Sequence, residues 1–234
     1  GTGDDIAYTS SYTTLSAVWS AFTETVSGIS KYEYAIGSSS GGTNVVSWTN
    51  NDTATSVTRS GLTLTGNSAY YISVRATDKA GNVSDVVSSD GVTVDHEGPL
   101  AGSVADGVNE DLDWTSSATT LSAHWNGFSD NLSGIVSYEY SIGTSAGDSN
   151  TVDWTLVNLD TSITRTDLTL VSGTAYYVSV RGTDAVGNVT LLIATSDGIT
   201  VDHYAPTIGE PWDGIESEDL DYQQSATMLW LYWT

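Results

Sequence analysis

The feature that most constrains this chain is that it repeats itself with a period of just over a hundred residues. Residues 9–36 read TSSYTTLSAVWSAFTETVSGISKYEYAI, and residues 115–142 read TSSATTLSAHWNGFSDNLSGIVSYEYSI, an offset of 106. AYYISVRATDKAGNVS (69–84) returns as AYYVSVRGTDAVGNVT (175–190) at the same offset, and SSDGVTVDHEGP (88–99) returns as TSDGITVDHYAP (195–206) at 107. A third copy then opens, with EDLDWTSSATTLSAHW (110–125) matched by EDLDYQQSATMLWLYW (218–233) at 108. Each period is long enough to enclose its own core, so the pattern predicts an array of domains. The expected division is 1–98, 99–205, and a partial repeat at 206–234 holding two strands.

Inside a repeat the signals are those of strands. Short alternating segments are separated by Gly, Ser, Asn and Asp clusters, and no stretch keeps helical periodicity. In the first copy the pattern predicts strands near 6–10, 14–21, 31–37, 45–48, 56–60, 69–77 and 83–94. Leu15, Ala17 and Trp19 share one face, as do Tyr32, Tyr34 and Ile36, and Tyr70, Ile72, Val74 and Ala76. Seven short strands in about a hundred residues argue an all-β sandwich.

These residues resemble the fibronectin type III family, with its immunoglobulin-like sandwich. Trp19 and Trp125 sit where that family has a core Trp on its second strand. Tyr32–Tyr34 and Tyr138–Tyr140 match its aromatic-x-aromatic third strand. Leu64 with Tyr70, and Leu170 with Tyr176, match its Leu–Tyr pair, which implies a tyrosine corner. Gly182 stands where the pattern has Ala. The SGI and VDxxxP segments resemble repeats of large bacterial surface and secreted proteins. The resemblance implies tandem seven-stranded sandwiches plus the first two strands of a third. It implies little about function, because this fold hosts many roles.

The charge narrows the partners. Asp and Glu number 29 against 6 Lys and Arg, a net charge of −23. Such a surface repels nucleic acid and anionic lipid. No apolar run is long enough to span a membrane. Cysteine is absent, so there is neither a thiol nucleophile nor a thiolate metal site. Ser and Thr are abundant but none lies in a GxSxG elbow. Alternation puts His124 on an outer face. No catalytic residue is expected, and the chain does not read as an enzyme. Glu33 with Arg75, and Glu139 with Arg181, fall on the outer faces of strands that neighbour in this fold, so they predict cross-strand ion pairs. Trp48 and Trp154 suit either packing on the sandwich or a glycan platform.

One acidic group stands out. In this topology the linker after the first domain approaches two loops of the second. That brings Asp95 and Glu97 towards Asp130 and Asp184, with the amides of Asn131 and Asn188 close by. Calcium takes 6–8 oxygen ligands, so a junction ion is one reading and solvated acidic loops are the other. No cofactor beyond such a calcium ion is expected. Sequons at Asn51, Asn82, Asn131 and Asn188 offer sites for glycan. In the partial repeat, Leu229, Leu231 and Trp233 would form an apolar strand face, to be covered by more chain or by another copy through strand addition. The expected function is an extracellular or cell-surface structural or adhesive array: a stalk, layer or filament. The alternative is an accessory glycan- or protein-binding spacer of a large secreted enzyme.

Overall fold

Alternation of apolar and polar residues gives each strand one inward row, and in both repeats these rows meet across two sheets. The computed structural model describes residues 5–209, together with the strands Pro211–Asp213 and Leu231–Trp233. The first domain runs β1 (Tyr8–Thr9), β2 (Leu15–Val18), β3 (Ile29–Gly37), β4 (Val46–Asn50), β5 (Ser56–Arg59), β6 (Ala69–Asp78), β7 (Val87–Ser88) and β8 (Val92–Val94). The second runs β9 (Ser103–Asp106), β10 (Trp114–Thr115), β11 (Leu121–Asn126), β12 (Ile135–Gly143), β13 (Val152–Leu156), β14 (Ser162–Arg165), β15 (Ala175–Asp184), β16 (Ala194–Thr195) and β17 (Ile199–Val201).

The larger sheet has the order β1-β8-β6-β3-β4 in the first domain and β10-β17-β15-β12-β13 in the second. The smaller sheet is β2-β5 in the first and β14-β11-β9 in the second. Counting the split first and last strands once each gives seven strands per repeat. Two separate cores result. One centres on Tyr34, Ile36, Ile72, Val74 and Val94, and the other on Trp125, Tyr140, Ile142, Val178 and Val201.

Three expectations need correction. The last strand of each repeat is broken. In place of one strand over 83–94, β7 and β8 are separated at Gly91, whose φ of 105° only glycine adopts without strain. Gly198 repeats this break with φ 104°, and a Cβ there would lie 2.6 Å from the Tyr177 ring. The first strand is also split in the second domain. β9 pairs antiparallel with β11, and β10 crosses to the other sheet to run parallel with β17. The second strand is shorter in the first domain than the pattern suggests. β2 is paired only with β5 and stops at Val18, whereas β11 is held on both edges and extends to Asn126.

The tyrosine corners form in both domains. Tyr70 Oη accepts the Thr65 N–H at 2.8 Å, and Tyr176 Oη accepts the Val171 N–H at 3.0 Å. Leu64 and Leu170 are buried beside them. Tyr176→Phe is expected to cost domain 2 about 1–2 kcal/mol in a denaturant melt, because a partly buried N–H loses its acceptor while the ring stays in place.

In the third repeat β18 (Pro211–Asp213) pairs antiparallel with β19 (Leu231–Trp233), Asp213 opposite Leu231. The register matches that of β9 and β11, where Asp106 lies opposite Ala123. Leu229 lies outside the described residues. Leu231 and Trp233 lie in β19, of which the backbone alone is described.

Candidate metal centre at the domain junction

The junction is built from the end of β8, the loop between β11 and β12, and the loop after β15. Asp95 follows β8 directly. Its N–H bonds the Thr9 carbonyl at 2.8 Å, which fixes the exit of the chain from domain 1. Its side chain is 1% exposed, with Oδ2 accepting the Ser133 N–H of domain 2 at 3.1 Å. Oδ1 is buried with no hydrogen-bond partner. Asp202 holds the same position at the end of domain 2 and donates the same backbone bond, to Thr115 at 2.8 Å, but it is exposed. Ser133 and Asn188, on two loops of the neighbouring domain, bond Asp95 directly.

Those loops shape themselves around their own carboxylates. Asp130 Oδ1 accepts the N–H groups of Leu132 and Gly134 at 3.0 and 2.8 Å, an Asx turn that fixes the loop before β12. Asp184, 1% exposed, accepts the N–H groups of Val186 and Asn188 at 2.9 and 2.8 Å through Oδ1. Its Oδ2 accepts from Asn188 Nδ2 at 2.7 Å. The same amide reaches the carbonyls of Asp95 at 3.2 Å and Glu97 at 3.4 Å, so Asn188 spans the two domains.

Asp95, Asp130 and Asp184 each place a carboxylate oxygen within 4.8 Å of the others. At that separation each ionised pair repels by at least roughly 3 kcal/mol at an effective dielectric near 20. No lysine or arginine offsets this: the ion pairs among the described residues join Lys31 and Arg75 to Glu33, and Arg181 to Glu139. Three convergent carboxylates, two of them buried and one with a free oxygen, suit a hard divalent cation with oxygen ligands. Glu97 departs from the expected set. Its side chain points to solvent and only its backbone carbonyl faces the site, because the linker turns its main chain towards Asn188. Asn131 is exposed as well.

The linker itself is tightly seated. Leu100 and Ser129 form a backbone bridge, with the Leu100 N–H donating to the Ser129 carbonyl at 2.8 Å. A Cβ on Gly98 would lie 2.2 Å from the Val189 carbonyl oxygen, so glycine lets the two domains close together here. Ser10 Oγ adds a bond to the Val186 carbonyl at 3.3 Å.

The outer-face pairs form as the alternation predicts. Glu33 lies opposite Arg75 and Glu139 opposite Arg181, with Nε to Oε2 distances of 3.1 and 2.8 Å. Burial alone would raise the Glu33 carboxyl, but hydrogen bonds from Lys31 and Arg75 outweigh it and hold the group below its usual range. Each guanidinium also covers a tryptophan, Arg75 over Trp48 and Arg181 over Trp154, both at 4.3 Å. That covers one face of each half-buried ring and packs Trp48 and Trp154 on the sandwich. His124 is on the outer face, its Nδ1 2.9 Å from the Gly107 carbonyl. Three sequon amides serve the fold: Asn51 closes the turn after β4, Asn82 bonds Asp78, and Asn188 spans the junction.

Sequence reasoning missed a second acidic group, Asp106 with Asp111 and Asp197. Its residues are not neighbours in an uninterrupted seven-strand reading. The ADG and SDG steps were the available signal, each marking a break in a strand.

No family model matches the chain. Exoglucanase B of Cellulomonas fimi is 32% identical over 163 residues, which cover 67% of this chain and 14% of that protein. The chain thus spans a small part of the length of this relative. Among solved structures, the FN1–FN3 domains of chicken CNTN1 are similar over 83% of this chain and 65% of theirs, with a TM-score of 0.41 and 14% identity. The fold rests on its own strands: the three-stranded sheet β14-β11-β9 faces β10-β17-β15-β12-β13, and a tyrosine corner closes each repeat. With that strand order and those corners, the chain is a tandem of fibronectin type III-like β-sandwich repeats.

Proposed function

We propose that this chain is a non-catalytic, extracellular spacer of a larger secreted protein, in which calcium bound by Asp95, Asp130 and Asp184 holds one sandwich against the next. The observation that carries the reading is the Asp95 carboxylate, buried and bonded by a loop of the neighbouring domain, with one oxygen left free. A spacer needs defined geometry between modules, and an ion shared by a linker and two loops supplies it without a large apolar interface. The stretch shared with a much longer exoglucanase favours the accessory-module form of this reading over a self-assembling filament. A cell-surface stalk would use the same junction, with different modules at its ends.

The loop positions recur in the chain. Glu24 and Asp78 in domain 1 occupy the places of Asp130 and Asp184, and each accepts backbone N–H groups of its own loop. The two domains therefore carry acceptors at the same two loop positions.

The purified chain incubated with soluble β-glucan is expected to release no reducing sugar above buffer. Reproducible turnover by the chain alone would overturn the non-catalytic reading.

A further inference from the structure

The second acidic group lies where the first strand of domain 2 changes sheets. Asp106 ends β9, Asp111 lies in the crossing loop to β10, and Asp197 lies in the break between β16 and β17. All three offer a carboxylate oxygen within 4.8 Å of the others. Asp106 is 0% exposed. Its Oδ2 accepts the Gly198 N–H at 3.1 Å, and its Oδ1 is buried with no partner. Asp111 Oδ1 accepts the Asp106 N–H at 2.9 Å, and the Leu112 N–H bonds the Asp106 carbonyl at 3.0 Å, so the loop folds back on Asp106. Gly107, with φ 96°, makes that fold possible: a Cβ there would lie 2.5 Å from the Glu110 carbonyl oxygen. Asp111 and Asp197 are exposed, which leaves a hydrated cation a way in.

A buried carboxylate oxygen with no donor is costly unless a proton or a cation meets it. Burial, with Asp111 and Asp197 adding repulsion, pushes the Asp106 carboxyl up to about 6, against the pull of the nearby Ser196 side chain and the Gly198 N–H. Among the described residues, no lysine or arginine is paired with any of the three. His124 is the basic side chain facing this loop, and its Nδ1 is taken by the Gly107 carbonyl.

We propose that Asp106, Asp111 and Asp197 form a second calcium site, within domain 2, that pins the sheet-switching first strand to the broken last strand. Hard oxygen donors, and water completing the shell on the exposed side, are the chemistry calcium takes. The pattern recurs in the sequence. Asp213-Gly214 with Glu218-Asp219 repeats Asp106-Gly107 with Glu110-Asp111, and Asp213 keeps the register of Asp106 in β18. In domain 1, Asp5 and Asp90 stand at the positions of Asp111 and Asp197, and they line one cavity.

The test is calcium chloride titration of the full chain by calorimetry, with melts in calcium and in EDTA. The double variant Asp111→Asn with Asp197→Asn changes exposed side chains and should fold normally. It is expected to bind one calcium ion fewer per chain than the unaltered protein and to lose part of the calcium-dependent rise in melting temperature. Asp130→Asn with Asp184→Asn removes a different ion, so the two sites fail independently. Asp106→Asn supplies a sharper contrast. In EDTA it should melt at or above the unaltered chain, because a buried carboxylate is gone; in calcium it should melt below it. If Asp111→Asn with Asp197→Asn leaves the calcium stoichiometry unchanged, the site does not exist. If Asp106→Asn is destabilised equally in both buffers, Asp106 serves only as a hydrogen-bond acceptor for Gly198.

Discussion

Trp125→Ala is expected to cost domain 2 about 3–5 kcal/mol, the range for deleting a large buried aromatic. For a domain of about 100 residues that lowers its melting temperature by more than roughly 12 °C, while in EDTA domain 1 melts as before. The two domains have separate cores, and Trp125 belongs to one of them. Trp125 is 2% exposed, meets Tyr138 edge-to-face with centroids 5.9 Å apart, and lies opposite Val104 of β9. Trp19 occupies the same position in domain 1 and meets Tyr32 at the same 5.9 Å, but it is only half-buried. No strand lies opposite it among the described residues. Both indole Nε1 atoms are buried without an acceptor. Replacing Trp125 by Phe should recover much of the loss, since it restores ring packing and removes an unpaired donor. Calorimetry that resolves the two transitions measures both variants together.

The second large effect concerns calcium. Binding to the folded state alone stabilises by about 2.7 kcal/mol when the ion is at 100 times its dissociation constant. The junction residues come from both domains, so the ion should couple their unfolding. In excess calcium the two transitions are expected to move up and towards each other; in EDTA they should separate. Asp130→Asn with Asp184→Asn should abolish the coupling. The amides keep the shape and much of the hydrogen bonding of the loops, so the variant's melt in EDTA should stay close to that of the unaltered chain. A melt of the unaltered chain that is the same in calcium and EDTA would contradict the junction ion.

The residues that repeat at 106 were enough to place the strands, because each inward row packs on its own core. Leu15, Tyr34, Ile36, Ile72 and Val74 are all buried as alternation implies. The Glu–Arg pairs were legible for the same reason, since facing positions on neighbouring strands are set by the pleat. Strand ends were less legible. Whether β11 continues past the position where β2 stops depends on β9 lying along its other edge, which no local pattern encodes. The junction was legible in its carboxylates and not in its linker. Asp95, Asp130 and Asp184 follow from which loops share one end of a sandwich. The direction of the Glu97 side chain depends on how the main chain turns after Asp95, and there the contact with Asn188 decides. The Asp106 group was hidden because it assembles from two strand breaks, and an unbroken seven-strand reading has no place for either.

The most direct test is the distance between the two domains. The chain has no native cysteine, so Ser60→Cys and Thr166→Cys, both at exposed positions, can carry spin labels cleanly. Pulsed dipolar spectroscopy in calcium is expected to give one narrow distance distribution, which broadens in EDTA and stays broad in calcium when Asp130→Asn and Asp184→Asn are added. A distribution of the same width in calcium, in EDTA and in that variant would show that no ion holds the junction.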